Sequence, residues 1–161
     1  MNKLRLILGD QLNINHSWFK ENNSKITYVM MEVKEETSYV LHHAQKIIAT
    51  FAAMRFFAEQ LQQKGFEVIY FKINDKQNKQ SFYQNINKTI KEKNIGELQY
   101  LEPDEYRLST ELKKLESIEN IKVESVDTEH FLVPKLYAKD FFSEKKHWRM
   151  EEFYRNMRKK F

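Results

Sequence analysis

A glycine, an acid and an amide follow the first apolar run of the chain. Residues 3–8 (KLRLIL) lead directly into Gly9, Asp10 and Gln11. A glycine lets the backbone approach a ligand closely, while Asp and Gln side chains supply acceptors and an amide donor. This set suits the edge of a heterocycle or the hydroxyls of a polyol. The alternative is that Asp10 only caps a short helical turn at residues 13–20.

Three carboxylates lie close together after the second apolar run, ITYVMM. They are Glu32, Glu35 and Glu36. Paired acids can do acid–base chemistry when their environments separate their pKa values. The same residues are also typical of an acidic turn ahead of a helix, with Thr37 or Ser38 as the N-cap, and we favour this second interpretation.

Sequence signatures of catalysis, phosphate binding and metal binding are missing. Neither glycine-rich phosphate fingerprint occurs, and there is no G-x-S-x-G nucleophile elbow. The chain has no cysteine, which excludes disulfides, thiolate nucleophiles and cysteine metal sites within it. His42 and His43 are adjacent, and neighbouring residues on a helix point about 100° apart, so they do not indicate a metal site. His130 and His147 are isolated, and we expect packing or surface roles for both.

Short apolar runs alternate with helical patterns along the chain. The patterns predict strands at 3–8, 26–31, 66–73, 97–102 and 121–126, and helices at 39–64, 78–93, 108–115 and 147–160. This alternation predicts a Rossmann-like (flavodoxin-like) three-layer α/β domain with a five-stranded parallel sheet in the order 3-2-1-4-5. Ligands of such sheets bind beyond the carboxyl ends of the strands, where both polar loops fall.

The length and composition are those of one packed globular domain. The chain has 161 residues, of which 41% are hydrophobic and 14% aromatic. We expect each of the three glycines at an element boundary, with Gly65 ending the long helix and Gly96 preceding a strand. Residues 127–146 are expected to form a surface loop. No long apolar run or signal pattern occurs, so we expect a cytoplasmic protein that does not contact a membrane.

Positive charge is concentrated near the end of the chain. The whole chain has a formal net charge of +4. Residues 145–161 contain seven Lys and Arg residues but two Glu residues. The candidate contacts to nucleic acid or to another domain are Lys146, Trp148, Arg149, Arg155, Arg158 and Lys159. The alternative, which we favour, is an amphipathic helix that docks its aromatic stripe and leaves its charges in water.

Several longer stretches together resemble one protein family. They are LRLILGDQL at 4–12, the pattern E-V-x-x-E-x-S-Y-V-x-H-H-x-x-K-I at 32–47, A-M-R-x-F-A at 53–58 and MEEFYRNMRKK at 150–160. In order and spacing they resemble the amino-terminal domain of the deoxyribodipyrimidine photolyase-related proteins, the bacterial iron–sulfur (6-4) photolyases of the cryptochrome/photolyase family. The resemblance implies an antenna domain at 1–146 and, at 147–161, a basic helix leading toward a flavin-binding helical domain.

The resemblance also implies the chemistry of the whole protein. Family members repair (6-4) photoproducts in DNA by light-driven electron transfer from reduced FAD. The flavin, an iron–sulfur cluster and the lesion pocket lie in a helical carboxy-terminal domain that this sequence does not include. We therefore expect DNA and that domain as partners, and no lyase activity from this chain by itself.

The amino-terminal domain of the family holds an antenna chromophore, 6,7-dimethyl-8-ribityllumazine. The positions that match its binding residues are Gly9, Asp10, Gln11, Glu32, Glu36, Tyr39 and Thr50, the last two expected on the first long helix. Energy transfer needs no general acid or base, so the carboxylates would be binding groups. Two other functions stay open: a stand-alone nucleic-acid- or partner-binding module that uses the basic 145–160 helix, and a nucleotide-binding protein of flavodoxin type.

Overall fold

The chain forms two compact units in a computed structural model. The structure describes residues 1–134, 136–144 and 146–161. The first unit comprises Met1–Thr128 and the second Glu129–Phe161, and each is described by itself. The boundary expected between residues 146 and 147 concerns the domains of the family, and it stays a prediction.

A parallel sheet forms the centre of the first unit. Its strands are β1 (Asn2–Leu6), β2 (Ile26–Met31), β3 (Glu67–Phe71), β4 (Ile95–Leu101) and β5 (Lys122–Val126). In the described residues the sheet has five strands in the order β3-β2-β1-β4-β5, all parallel, which confirms the predicted fold class and strand order. The order reverses between β1 and β4, so the carboxyl end of β1 is the expected place for a ligand.

Helices cover both faces of this sheet. They are α1 (Lys34–Ser38), α2 (Ala44–Gln63), α3 (Phe82–Lys93) and α4 (Tyr106–Lys113), joined by 3-10 helices at Ser17–Phe19 and Lys114–Ser117. Side chains alternate along each strand, so Leu6 and Leu8 pack with Ile86 of α3 in one core, while Ile7 packs with Met54 of α2 in the other. The apolar runs are continuous because both faces of each central strand are buried.

The long helix predicted at 39–64 corresponds to α2, which begins five residues later than predicted, and the short helix α1 ends before the predicted range. Helix α2 begins at Ala44, and its N-cap is His43, whose Nδ1 accepts a hydrogen bond from the Gln45 N–H at 3.2 Å. The prediction that Thr37 or Ser38 caps this helix was wrong. Both residues lie in α1, where their hydroxyls donate to the Lys34 carbonyl at 3.3 and 2.7 Å. The imidazole of His43 takes the capping role because its backbone is extended, with φ −65° and ψ 132°.

The interpretation of Asp10 as a helix cap was also wrong. The predicted turn at 13–20 contains a 3-10 helix, Ser17–Phe19, and its N-cap is His16. The His16 Nδ1 accepts a hydrogen bond from the Trp18 N–H at 3.1 Å. Asp10 therefore does not cap this helix.

The predicted position of Gly65 at the end of a helix is confirmed, whereas the predicted position of Gly96 before a strand was wrong. Gly65 follows α2 with φ +86°, the left-handed conformation that ends a helix. Gly96 lies inside β4 rather than before it, because Asn94, with φ 51°, already ends α3 and the strand starts at Ile95. A Cβ at Gly96 would collide with the Met1 side chain, so the glycine makes room for the side chain of the first residue.

The described residues of the second unit form two helices, α5 (Tyr137–Phe142) and α6 (Met150–Lys160). The expectation of a loop throughout 127–146 was therefore wrong at α5, and Lys135 and Lys145 lie outside the described residues. The Phe153 ring centroid lies 5.5 Å from that of Phe141, so aromatic packing joins the two helices. None of the described helices combines the length and apolar character needed to cross a membrane.

Candidate functional site

A cavity of about 250 Å³ lies at the carboxyl ends of β1 and β2 in the first unit. Its apolar lining comes from both strands and from the helices on either face of the sheet. The apolar residues are Leu8, Met31, Val33, Ile47, Phe51, Met54, Phe82 and Leu108. The volume lies just below the ~300–1,000 Å³ typical of small-molecule sites.

Polar groups complete the lining of this cavity. They are Asp10, Glu36, Thr37, Tyr39, His42, Lys46, Thr50 and Glu105. An apolar surface with a few hydrogen-bonding groups is the usual composition of a site for a flat organic ligand. The cavity thus occupies the position that the order of the strands predicts.

Gly9 brings the loop after β1 close to α2. A Cβ at this position would lie 3.0 Å from the Met54 Sδ and 3.0 Å from the Thr50 Cγ2. Because these distances are shorter than ordinary carbon contacts, any larger residue would displace a side chain that lines the cavity. A glycine is therefore needed at position 9 because the loop after β1 approaches α2 closely, and not because of an unusual backbone angle.

Arg107 organises one wall of the cavity, although sequence analysis did not select it. Its guanidinium donates two hydrogen bonds to the Glu36 carboxylate, at 3.1 and 3.0 Å, and two to the Glu105 carboxylate, at 2.8 and 3.4 Å. The guanidinium carbon also lies 3.8 Å from the centroid of the Tyr39 ring. Glu36 and Tyr39 additionally border a second cavity of about 340 Å³ that Arg107 lines. The arginine therefore holds the shared wall in place.

Five of the seven predicted chromophore-binding residues line the first cavity, and two do not. Gly9, Asp10, Glu36, Tyr39 and Thr50 are brought together there. Tyr39 is the C-cap of α1 rather than a residue of the long helix, so only Thr50 has the predicted location on that helix.

Gln11 is one of the two residues outside the lining. Its side chain is 2% exposed, accepts a hydrogen bond from the Leu8 N–H and donates one to the Leu101 carbonyl, both at 3.1 Å. These bonds connect the ends of β1 and β4. The contacts seen are structural, and a contact of Gln11 to a chromophore stays a prediction.

Glu32 is the other, and it is fully buried. Its carboxylate accepts hydrogen bonds from the Arg55 Nε and Nη2 at 2.7 and 2.9 Å, from the Tyr70 hydroxyl at 2.7 Å and from the Ile73 N–H at 2.8 Å. This network joins the end of β2 to α2 and to the end of β3. Its role in the structure is to fix these elements next to the cavity, and a direct contact to a chromophore stays a prediction.

The environment of Glu32 keeps this carboxylate charged. Burial acts to raise its pKa, but the hydrogen bonds from Arg55, Ile73 and Tyr70 and the charge of Arg55 outweigh burial and lower the pKa below 4.5. Burial and the neighbouring carboxylate together raise the pKa of Tyr70, so this phenol stays protonated and donates. An ionised, fully bonded acid is suited to holding structure rather than to proton transfer.

His42, Lys46 and Glu105 are further cavity residues that were not among the seven predicted chromophore-binding residues. His42 was considered only as half of a metal pair, and Lys46 only as part of the helix predicted at 39–64. Their spacing could have indicated the site, because His42, Lys46 and Thr50 are four residues apart and lie on one side of a helical pattern. Among the residues that the structure describes, no group of three or more His, Asp or Glu is placed to hold a metal ion.

The basic residues of the second unit are exposed. Lys146, Trp148 and Arg149 precede α6, and Arg155, Arg158 and Lys159 lie on it. Arg155 pairs with Glu151 at 2.6 Å, and the Trp148 ring stacks on Phe142 with centroids 5.5 Å apart. Contacts of these residues to nucleic acid or to another domain stay predictions.

Comparison with known proteins decides the family. The family model described as "Deoxyribodipyrimidine photo-lyase-related protein" matches residues 5–161. The chain belongs to this family. A (6-4) photolyase of Agrobacterium fabrum is 35% identical over 161 residues, a match that covers 99% of this chain and 32% of that relative. This photolyase-related chain thus spans about a third of the length of the relative that it matches.

Family membership confirms the resemblance seen in the sequence. The cavity of the photolyase-related chain is built by residues of the matched region, including the E-V-x-x-E-x-S-Y-V-x-H-H stretch that contributes Glu36, Tyr39 and His42. Part of the cavity lining therefore lies in the segments that carry the resemblance.

Proposed function

We propose that the Met1–Thr128 unit of this photolyase-related chain binds 6,7-dimethyl-8-ribityllumazine in the 250 Å³ cavity at the ends of β1 and β2. When bound, this chromophore absorbs light and passes excitation energy to a flavin, which in this proposal lies in a helical domain of a DNA repair photolyase. The observation that carries the proposal is the cavity itself, which has an apolar surface and a polar lining that includes five of the seven expected residues.

The chemistry of the lining suits a lumazine. Met31, Val33 and Met54 offer apolar surface to a flat ring, and burying about 200 Å² of such a ring contributes ~5 kcal/mol before the cost of association. Asp10 and Glu105, which also line the cavity, offer acceptors for ribityl hydroxyls. The residues present therefore fit both halves of the ligand.

The residues of the cavity bind and orient in this proposal, and none transfers a proton. Glu36 is committed to Arg107 through two hydrogen bonds, which leaves it as an anchored acceptor at the wall. Excitation transfer depends on the position of the chromophore rather than on acid–base chemistry. The site therefore needs rigid walls, and the packing of Arg107 on Tyr39 provides one.

The proposal is tested by mixing the purified chain with the lumazine, removing free ligand by gel filtration and recording visible absorbance and fluorescence. We expect retained chromophore with altered fluorescence. Thr50→Phe fills the cavity and should abolish retention, whereas Ala53→Phe, a matched change on the exposed face of α2, should not. Absence of retained chromophore with the unmodified chain would contradict the proposal.

A second candidate function is binding of nucleic acid by α6. The observation that favours it is the basic last turn of this helix, with Arg158, Lys159 and Lys160. Exchange of Arg158 and Lys159 for Glu should abolish binding to a short duplex, and binding to the unmodified chain should weaken steeply with salt. No detectable binding at low salt would exclude this function.

A further inference from the structure

We propose that His42 makes a direct hydrogen bond to the ligand of the 250 Å³ cavity through its Nε2 atom, a contact that fixes the orientation of a heterocyclic ring. The inference rests on the proposed function, because it concerns the same cavity. It adds a residue that the sequence assigned to neither binding nor catalysis.

The first observation is an unsatisfied atom. In the part of the chain that the structure describes, the Nε2 of His42 is the buried side-chain nitrogen or oxygen without a hydrogen-bond partner. Buried polar atoms are almost always bonded, since leaving one unpaired is costly. His42 also lines the cavity, so a ligand there can supply the missing partner.

The second observation is that the imidazole ring is held in place. It packs edge to face on Tyr39, with ring centroids 5.0 Å apart and an interplanar angle of 69°. Tyr39 in turn lies 3.8 Å from the guanidinium carbon of Arg107, which is anchored on Glu36. A ring supported in this way presents Nε2 in one direction, as orienting a ligand requires.

His43, the neighbouring histidine, has a different role from His42. His43 is exposed and caps α2 through its Nδ1. The cap holds the backbone at the start of α2, directly after His42. His43 thereby provides a matched control that changes the same residue type one position away.

The chemistry of an imidazole suits the edge of a lumazine ring. A neutral imidazole nitrogen donates or accepts a hydrogen bond according to its tautomer. The pyrimidine-dione edge of a lumazine contains carbonyl oxygens and ring nitrogens, so it offers a partner to either tautomer. A hydrogen bond to this edge changes the electron distribution of the ring, and the bound ligand should report it in its absorption spectrum.

The experiment compares His42→Phe, His42→Gln and His43→Asn by lumazine titration. We expect His42→Phe to weaken affinity about tenfold, because the ring can still pack on Tyr39 but cannot hydrogen-bond. The absorption maximum of the bound ligand should shift as well. His42→Gln should stay within about threefold of the unmodified chain, since its side-chain amide can occupy the place of Nε2. His43→Asn should bind unchanged, because Asn is also an effective N-cap.

Three results would overturn the inference. Unchanged affinity and spectrum in His42→Phe would do so while leaving the proposed function intact. Equal losses in His42→Phe and His42→Gln, with unfolding midpoints like that of the unmodified chain, would show that ring shape rather than a hydrogen bond matters. If the unmodified chain did not bind lumazine, this result would contradict both the inference and the proposed function on which it rests.

Discussion

The paired side chains of Arg107 and Glu36 bridge the end of the central strand. Glu36 lies in α1 after β2, and Arg107 lies in α4 after β4, yet two hydrogen bonds of 3.1 and 3.0 Å join them. Because β1 lies between β2 and β4 in the sheet, the pair closes over the point where β1 ends. The cavity owes one of its walls to this contact between α1 and α4, which follow the strands on either side of β1.

Replacing Arg107 by Lys should weaken lumazine binding about fivefold or more. A lysine cannot form the paired hydrogen bonds to Glu36 or stack on Tyr39 in the same way, so the wall loses its support. Stability should fall by only about 1 kcal/mol, because both members of the pair are partly exposed. Lumazine titration and urea unfolding measure the two effects.

Arg155→Lys is the matched control for this change. Arg155 pairs with Glu151 at 2.6 Å on the exposed surface of α6 and is not one of the residues that line the cavity. It should leave lumazine affinity unchanged. Equal affinities of Arg107→Lys and the unmodified chain would show that the wall does not depend on Arg107.

Replacing Glu32 by Gln should destabilise the first unit by about 2 kcal/mol at pH 7. The change removes the charge from a fully buried carboxylate that Arg55, Tyr70 and Ile73 all bond. The loss stays below that of a fully buried ion pair because 43% of the Arg55 side chain is exposed. Urea unfolding measures the loss, and Glu59→Gln on the exposed face of α2 is the control.

The pH dependence of stability provides an independent check on Glu32. Its pKa in the folded chain lies below the ordinary value of 4.5, so its contribution is complete above that value and disappears as pH falls through the lower folded pKa. Unfolding free energy measured from pH 7 to pH 3 should therefore fall more in the unmodified chain than in Glu32→Gln. Parallel profiles would mean that the pKa of Glu32 is not lowered in the folded state.

Replacing Gly9 by Ala should reduce lumazine affinity through the side chains that it displaces. The added methyl would lie 3.0 Å from the Thr50 Cγ2 and from the Met54 Sδ, so one of them must move into the cavity or away from it. Thr50→Ser removes the Cγ2 atom and should partly restore binding in the double variant. Titrations of both single variants and the double variant measure this coupling.

Gly65→Ala separates a general loss of stability from an effect on the site. Gly65 has φ +86°, which costs a residue with a Cβ about 1–2 kcal/mol, but it does not line the cavity. This variant should unfold more easily and still bind lumazine. Loss of binding in Gly65→Ala equal to that in Gly9→Ala would indicate that stability alone explains both.

The fold followed from the sequence because strand burial leaves a direct pattern. The runs at 26–31 and around Ile7 and Leu8 are apolar on both faces, and the structure buries them between two helical layers. Helix ends were less predictable. His43 caps α2 although Ser38 is the commoner residue type for that role, because the backbone conformation at His43 decides which side chain reaches the free N–H groups.

The cavity was predictable only in part, since its walls come from distant segments. Gly9 and Asp10 could be located from the rule that ligands bind at strand ends. Arg107 joins the site through a contact across 71 residues of sequence, which no local pattern reveals. Gln11 and Glu32 have the residue types of a binding site; in the structure their side chains bond buried backbone and guanidinium groups, and their contact to a chromophore stays a prediction.

The most direct test of the central claim is an amide NMR titration of the chain with 6,7-dimethyl-8-ribityllumazine. Lumazine binding in the cavity predicts that the largest chemical-shift changes cluster at Gly9, Tyr39, His42 and Thr50, and that they saturate with ligand. Absence of saturable changes, or changes confined to α5 and α6, would contradict the assignment of the cavity as the chromophore site.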